Sequence, residues 1–247
     1  MLKYYIPLVL ILVYILFVLY KVSIRKTTFD IVISRYEEDL SWIKELPIPE
    51  YSNMYIYNKG SPISHIPLPN VHMESLPNLG RESHTYFHHV IKNYNNLADM
   101  TLFLPASVWA IDMKREKLLK ILNGLKSDFR STTTGMKDPA FIEAQKTFEI
   151  DSYTITNEEN RKKNPDSSLE KSELRPLNTW FTNHFPKEEL TCISFNGIMA
   201  VTRNSIHKRP VQFYEKLLAE HSFKNAEVVH YSERTWKNIF SIDNCIQ

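Results

Sequence analysis

Side chains able to do chemistry gather at a few places in this sequence. Arg81 and Glu82 follow Pro77, Asn78 and Gly80, residues that break the chain and open a helix. A helix N-terminus offers free amides to anions, and an arginine there adds a bidentate fork suited to phosphate. The plainer reading is that Glu82 complements the helix dipole and Arg81 is solvated. Arg35, Tyr36, Glu37, Glu38 and Asp39 crowd the end of a β-branched run, Ile31 to Ile33. Ligands of open α/β sheets sit beyond the carboxyl ends of strands, so this cluster is a candidate site; adjacent acids also make ordinary solvated helix starts. Asn58 and Asn196 each stand near a glycine and read equally well as turn residues. His84 and His88 lie one helical turn apart, as metal ligands do, but no acidic residue between or after them completes a set, and no metal-binding residue is assigned.

These residues need elements to hold them. Leu76 to Pro105 reads as a loop, a helix and a buried strand, with Phe87, Val90, Ile91 and Tyr94 recurring at helical spacing and Thr101 to Leu104 as the strand. Ile31 to Ile33 is the first strand, and Leu40, Trp42, Ile43 and Leu46 suggest a short amphipathic helix after it. Met54 to Tyr57 is a second strand, ended by Asn58-Lys59-Gly60. A proline-rich loop then runs from Ser61 to Pro77. Lys114 to Leu125 reads as a helix closed by Asn123-Gly124, and Asp128 to Pro176 as a polar excursion, since Asn157 to Arg175 is nearly free of large apolar residues. Leu177 to Phe185 resumes a compact pattern. Cys192 to Val201 reads as a strand pair or a bulged strand around Phe195-Asn196-Gly197. Pro210 opens a helix with Val211, Tyr214, Leu217 and Leu218 on its buried face. A short strand near Val228 and Val229 is expected next. Ser232 is then a natural N-cap for a closing helix from Glu233 to Phe240.

With 247 residues, the chain holds one sizeable domain or two small ones, and a net charge of +2 gives no reason to expect nucleic acid. Tyr4 to Tyr20 is an uninterrupted apolar and aromatic run between Lys3 and Lys21. No small-residue cleavage site follows it, so residues 4–22 are read as a transmembrane signal anchor in the lipid bilayer. Residues 23–29 are then a juxtamembrane linker, and 30–247 a single α/β domain. Lys21, Arg25 and Lys26 lean weakly towards a cytosolic domain. Cys192 and Cys245 are the sole cysteines; they could pair in an oxidising compartment, but one possible pair is no disulfide framework.

Five blocks in order, ISRYEEDLSW, IYNKG, the Leu76 to Pro105 stretch, GIMAVTRNSIHKRPVQFYEKLL and YSERTWKNIF, resemble the uncharacterised DUF3431 family over nearly all the chain after Asp30. The organisation is similar to that of GT-A glycosyltransferases. That likeness implies a Rossmann-like mixed sheet flanked by helices, a nucleotide-sugar donor, a glycan acceptor and a manganese or magnesium ion. It implies Glu233 as the base that takes the acceptor's proton, by analogy with enzymes whose base opens a late helix, with Asp39 as second choice. Arg35, Tyr36, Lys59, Arg81, Glu82 and Asn196 become the donor- or phosphate-binding candidates. Asp-x-Asp, the usual metal motif of such enzymes, occurs nowhere; the comparable strand runs into Pro105-Ala106-Ser107. The expectation is therefore a membrane-anchored transferase of the endomembranes or a viral membrane, working without that metal motif. The alternative is a non-catalytic tethered domain that binds glycan or protein. A histidine-based metal hydrolase is a third, weaker option.

Overall fold

The computed structural model describes residues 27–47, 51–64, 66–152 and 168–247, together with Tyr14 alone. The anchor expected over residues 4–22 therefore lies outside the described residues apart from Tyr14. Among the described residues, no helix is long and apolar enough to cross a membrane.

Seven strands form one mixed sheet. β1 (Phe29–Arg35), β2 (Asn53–Asn58) and β3 (Val71–Ser75) run parallel side by side, and β4 (Met100–Pro105) joins the other edge of β1, also parallel. β6 (Ile193–Thr202) is antiparallel to both β4 and β5 (Thr132–Met136), and β7 (Asn244–Ile246) pairs parallel with β5. The spatial order is β3-β2-β1-β4-β6-β5-β7. The strand order reverses between β1 and β4, and ligands of open α/β sheets usually sit beyond the carboxyl ends of the strands at such a reversal.

Alternation decides which layer each strand residue serves. Val32, Tyr57, Phe103, Met199 and Val201 point to one face. There they meet α1 (Arg81–Asn93), α4 (Leu177–His184), α6 (Val211–Glu220) and α7 (Glu227–Ile239). Ile31, Ile33, Met54, Ile56, Leu102, Leu104, Ile198 and Ala200 point to the other. They are covered by the 3-10 turn Ser41–Glu45, where a helix was expected, and by α2 (Asp112–Ser127). Two smaller helices, α3 (Pro139–Lys146) and α5 (Arg203–Ile206), also occur among the described residues. Trp180, Trp236, Tyr86, Phe87 and Phe103 are fully buried in the first layer. Each such side chain contributes roughly 1.5–3 kcal/mol of transfer free energy.

Several expectations need correction. The Ser61–Pro77 loop contains β3, an edge strand whose residues are all at least partly exposed, so burial leaves no alternation to read. The polar excursion contains β5 and α3. β5 reads as polar because its buried positions are Thr132, Thr133 and Thr134, which suit a strand through β-branching and not through hydrophobicity. α2 continues past Asn123-Gly124 to Ser127. Val228 and Val229 belong to α7, not to a strand. Ser232 lies inside that helix and does not cap it; its hydroxyl meets Nε2 of His221 at 2.8 Å.

Cys192 and Cys245 form a disulfide with Cα atoms 6.5 Å apart, tying the approach to β6 to β7 across a sequence separation of 53. Closing a loop of this size limits the unfolded chain, so replacing both cysteines by serine should cost about 2–4 kcal/mol. Urea denaturation of the oxidised protein and the double variant checks this; equal midpoints would contradict it.

Candidate functional site

The first turn of α1 begins in unusual backbone. Gly80 and Arg81 both have positive φ, 53° and 48°. A Cβ on Gly80 would come within 2.3 Å of the His221 carbonyl oxygen, so only glycine fits where this loop meets the end of α6. Lys59 fixes the turn from the other side. Its ammonium donates to the Leu79 carbonyl at 2.6 Å and also to that of Arg81. Burial pulls the Lys59 pKa down to about 7, with the Glu82 carboxylate opposing that fall.

Opposite this turn, β6 bulges. The register with β5 shifts between Thr133 and Gly135, and Asn196 and Gly197 both take positive φ, 75° and 60°. A non-glycine residue in this region costs about 1–2 kcal/mol, and such outliers collect at functional sites. A Cβ on Gly197 would lie 2.9 Å from Cγ of Glu82, so the missing side chain admits the glutamate of α1. Tyr86, one turn on, donates its hydroxyl to the Gly197 carbonyl at 2.8 Å.

α7 completes the group. Oε1 of Glu233 accepts from the Asn196 N–H at 2.9 Å. Burial raises the pKa of this carboxyl, and the neighbouring Glu82 carboxylate raises it further. The Asn196 N–H, Arg234 and Arg81 oppose the rise. Lys117, reaching over from α2, donates to Oδ1 of Asn196 at 2.6 Å and faces Glu233 electrostatically. Arg234 lies 3.5 Å from the ring centroid of Phe148 and donates to Gln145 at 2.8 Å. Glu82, Arg81, Lys59, Asn196 and Glu233 thus share one neighbourhood, with Lys117 added.

Arg35, Tyr36 and Asp39 sit differently. Nε of Arg35 donates to the Glu38 carbonyl at 2.8 Å. Its Nη1 donates to the carbonyls of Tyr36 and Ser61, at 2.9 and 3.1 Å, and to Oδ1 of Asn58 at 2.6 Å. This guanidinium braces the loops that leave β1 and β2. Tyr36 is half-buried, its phenol pKa raised by burial and by Glu37 and Glu38. Asp39 is exposed and hydrogen-bonded to both the N–H and the hydroxyl of Ser41, which lowers its pKa. Arg35 and Asp39 line a cleft of about 530 Å³ with Glu37, Glu38, Lys44 and Ile63, and none of Arg81, Glu82 and Glu233 borders it. Arg35 and Asp39 thus lie at a different place from Arg81, Glu82 and Glu233.

Sequence reading missed Lys117 and its neighbours Ser107 and Lys114. Lys117 stands 79 positions from Asn196, so only the fold reveals the contact. The histidines stay within the fold. His89 meets the Tyr57 hydroxyl at 3.0 Å, and His88 meets Glu74 at 3.2 Å. Among the described residues, no group of three or more His, Cys, Asp or Glu is arranged to hold a metal ion.

A family model described as "Protein of unknown function (DUF3431)" matches residues 31–247. The chain belongs to the DUF3431 family. No curated protein and no solved structure matches it. The family match spans Arg81, Glu82, Lys117, Asn196 and Glu233, so they are part of the DUF3431 domain and not of an addition to it.

Two pH dependences follow from the buried groups. Burial lowers His84 and His221 to about 4 and His89 and His230 to about 3. The unfolded chain therefore takes up protons first as pH falls from the ordinary histidine value near 6.5, and stability present above that value is lost on the way down. Urea midpoints should drop between about pH 6.5 and 4; a flat profile would contradict this burial. Lys59 acts by the same sign at higher pH. Its lowered pKa makes its stability contribution grow from about pH 7 upwards, so Lys59→Met should flatten the rise measured from pH 7 to about 9. An unchanged slope in the variant would show that Lys59 is not the group responsible.

Proposed function

We propose that this DUF3431 protein is a membrane-anchored transferase that moves a sugar from a nucleotide-activated donor to a hydroxyl acceptor. The supporting observation is the meeting of Glu82, Glu233, Arg81, Asn196 and Lys117 beside the reversal of strand order, where carboxylates and cations face one another. Inverting transfer needs a base for the acceptor hydroxyl and positive charge for the leaving diphosphate. Glu233 takes the first role. Its raised pKa moves it towards the operating pH, where a general base works best. As the acceptor oxygen bonds to the anomeric carbon, the bond to the donor phosphate breaks and the acceptor's proton passes to Glu233. Lys117 and Arg81 stand near enough to offset the charge of the departing diphosphate. A GT-A-like arrangement and the bilayer anchor at residues 4–22 belong to the same proposal. The Cys192–Cys245 bridge supports a domain on the lumenal side of an endomembrane or outside it, against the weak charge bias of the N-terminal flanks.

The non-catalytic reading draws support from Arg35 and Lys59, two of the expected phosphate cations, whose donors are spent on the fold. A tethered domain that binds glycan or protein would need no free cations there.

The transferase reading is tested by measuring nucleoside diphosphate release from a panel of nucleotide sugars with glycan acceptors. Glu233→Gln, which keeps the shape and an acceptor for the Asn196 N–H, should lower the rate by about 10²- to 10⁴-fold with an unchanged melting temperature. Turnover that survives in Glu233→Gln removes Glu233 as base, and folded protein inert towards every donor favours the binding domain.

A further inference from the structure

We infer that the face of α2 carrying Lys114 and Lys117, with Ser107 before it, is the subsite for the diphosphate of the ligand; this rests on the transfer reading above. β4 ends at Pro105, opposite Ser34 of β1, so the chain leaves the sheet where strand order reverses. The short 3-10 turn Ala106–Val108 follows, and α2 then starts at Asp112 without a side-chain cap. The Lys114 and Arg115 N–H groups both donate to the Ile111 carbonyl, at 2.9 and 3.0 Å, which closes this first turn. Lys114 donates to the Ser107 hydroxyl at 2.8 Å and Lys117 to the Asn196 amide oxygen at 2.6 Å. Both partners are neutral oxygens, which an incoming phosphate oxygen outcompetes as an acceptor for an ammonium group.

The two lysines lie three residues apart, on one stripe of the helix, and each is half-buried. Burial lowers the pKa of Lys117, the Glu233 carboxylate opposes that fall, and repulsion from Lys114 and Lys120 adds to it. A diphosphate between Lys114 and Lys117 relieves the repulsion between those two ammonium groups. Other expected cations are committed elsewhere: Lys59 to two carbonyls, and Nε and Nη1 of Arg35 to the loops after β1 and β2. Asp112, at the start of the same helix, pairs with Arg115 at 2.5 Å and not with either lysine. A diphosphate bridging Lys114 and Lys117 would also lie beside Asn196, and hence beside the carboxyl proposed as base.

Calorimetric titration of the full chain tests this with inorganic pyrophosphate, uridine and guanosine diphosphates, and farnesyl diphosphate. Binding should weaken about tenfold in Lys114→Met and in Lys117→Met, the loss of one charge-assisted hydrogen bond each. The tightest of the three ligand classes identifies the source as free phosphate, nucleotide or lipid. Lys120→Met, on the same stripe but with its ammonium turned to the Gln247 carbonyl, controls for general charge. Diphosphate binding of equal strength in all variants, or no binding of any probe by folded protein, overturns the subsite. The two proposals fail separately. Donor turnover unaffected by the lysine variants would sink only the subsite, and lysine-dependent binding without turnover would sink only the transfer.

Discussion

The contact between Glu82 and Gly197 is the constraint on which the meeting of α1, β6 and α7 depends. A glutamate on the first turn of α1 can lie against β6 only where β6 presents no side chain. Gly197 meets that need, and the positive φ it shares with Asn196 turns the Asn196 N–H towards Glu233. Three elements distant in sequence, α1, β6 and α7, therefore meet at one point. Two carboxyls are brought together there, and burial disfavours charge on Glu233. Like charges at close quarters cannot both ionise freely, and Glu233 bears that cost as a raised pKa.

The surroundings hold this arrangement in place. Lys59 locks the left-handed turn of Gly80 and Arg81 through two carbonyls, and the Tyr86 hydroxyl bonds to the Gly197 carbonyl. Beneath them, Trp236 and Phe103 pack on Tyr86, with ring centroids 5.8 and 4.9 Å from it. The backbone strain at Arg81 and Asn196 persists because packed aromatic side chains on one side and a buried ammonium on the other leave the chain little alternative.

How much of this was legible in the sequence depended on burial. β1, β2, α1 and β4 could be read because they are buried and carry apolar residues at clear periods. β3 could not, because an edge strand with partly exposed residues has no inside face to mark. β5 hid behind threonines. Val228 and Val229 suggest a strand and Ser232 suggests a cap, whereas packing buries all three in the first part of α7, which kinks at Thr235. The same tertiary override decides the site. Glu82, Arg81, Asn196 and Glu233 are conspicuous in sequence and do meet. Arg35 and Lys59 are as conspicuous, but they serve the fold because buried backbone carbonyls need donors. Lys117 gave no local signal, since its partner lies in another layer of the structure.

The most direct test of this account is the titration of the Glu233 carboxyl, followed by carbon-13 NMR in protein labelled at glutamate. Burial and the nearby Glu82 carboxylate predict a Glu233 pKa above the ordinary glutamate value, lowered in part when Glu82→Gln removes the neighbouring charge. A Glu233 that titrates in the ordinary range, or a raised value unmoved by Glu82→Gln, would contradict the two carboxyls acting as one site.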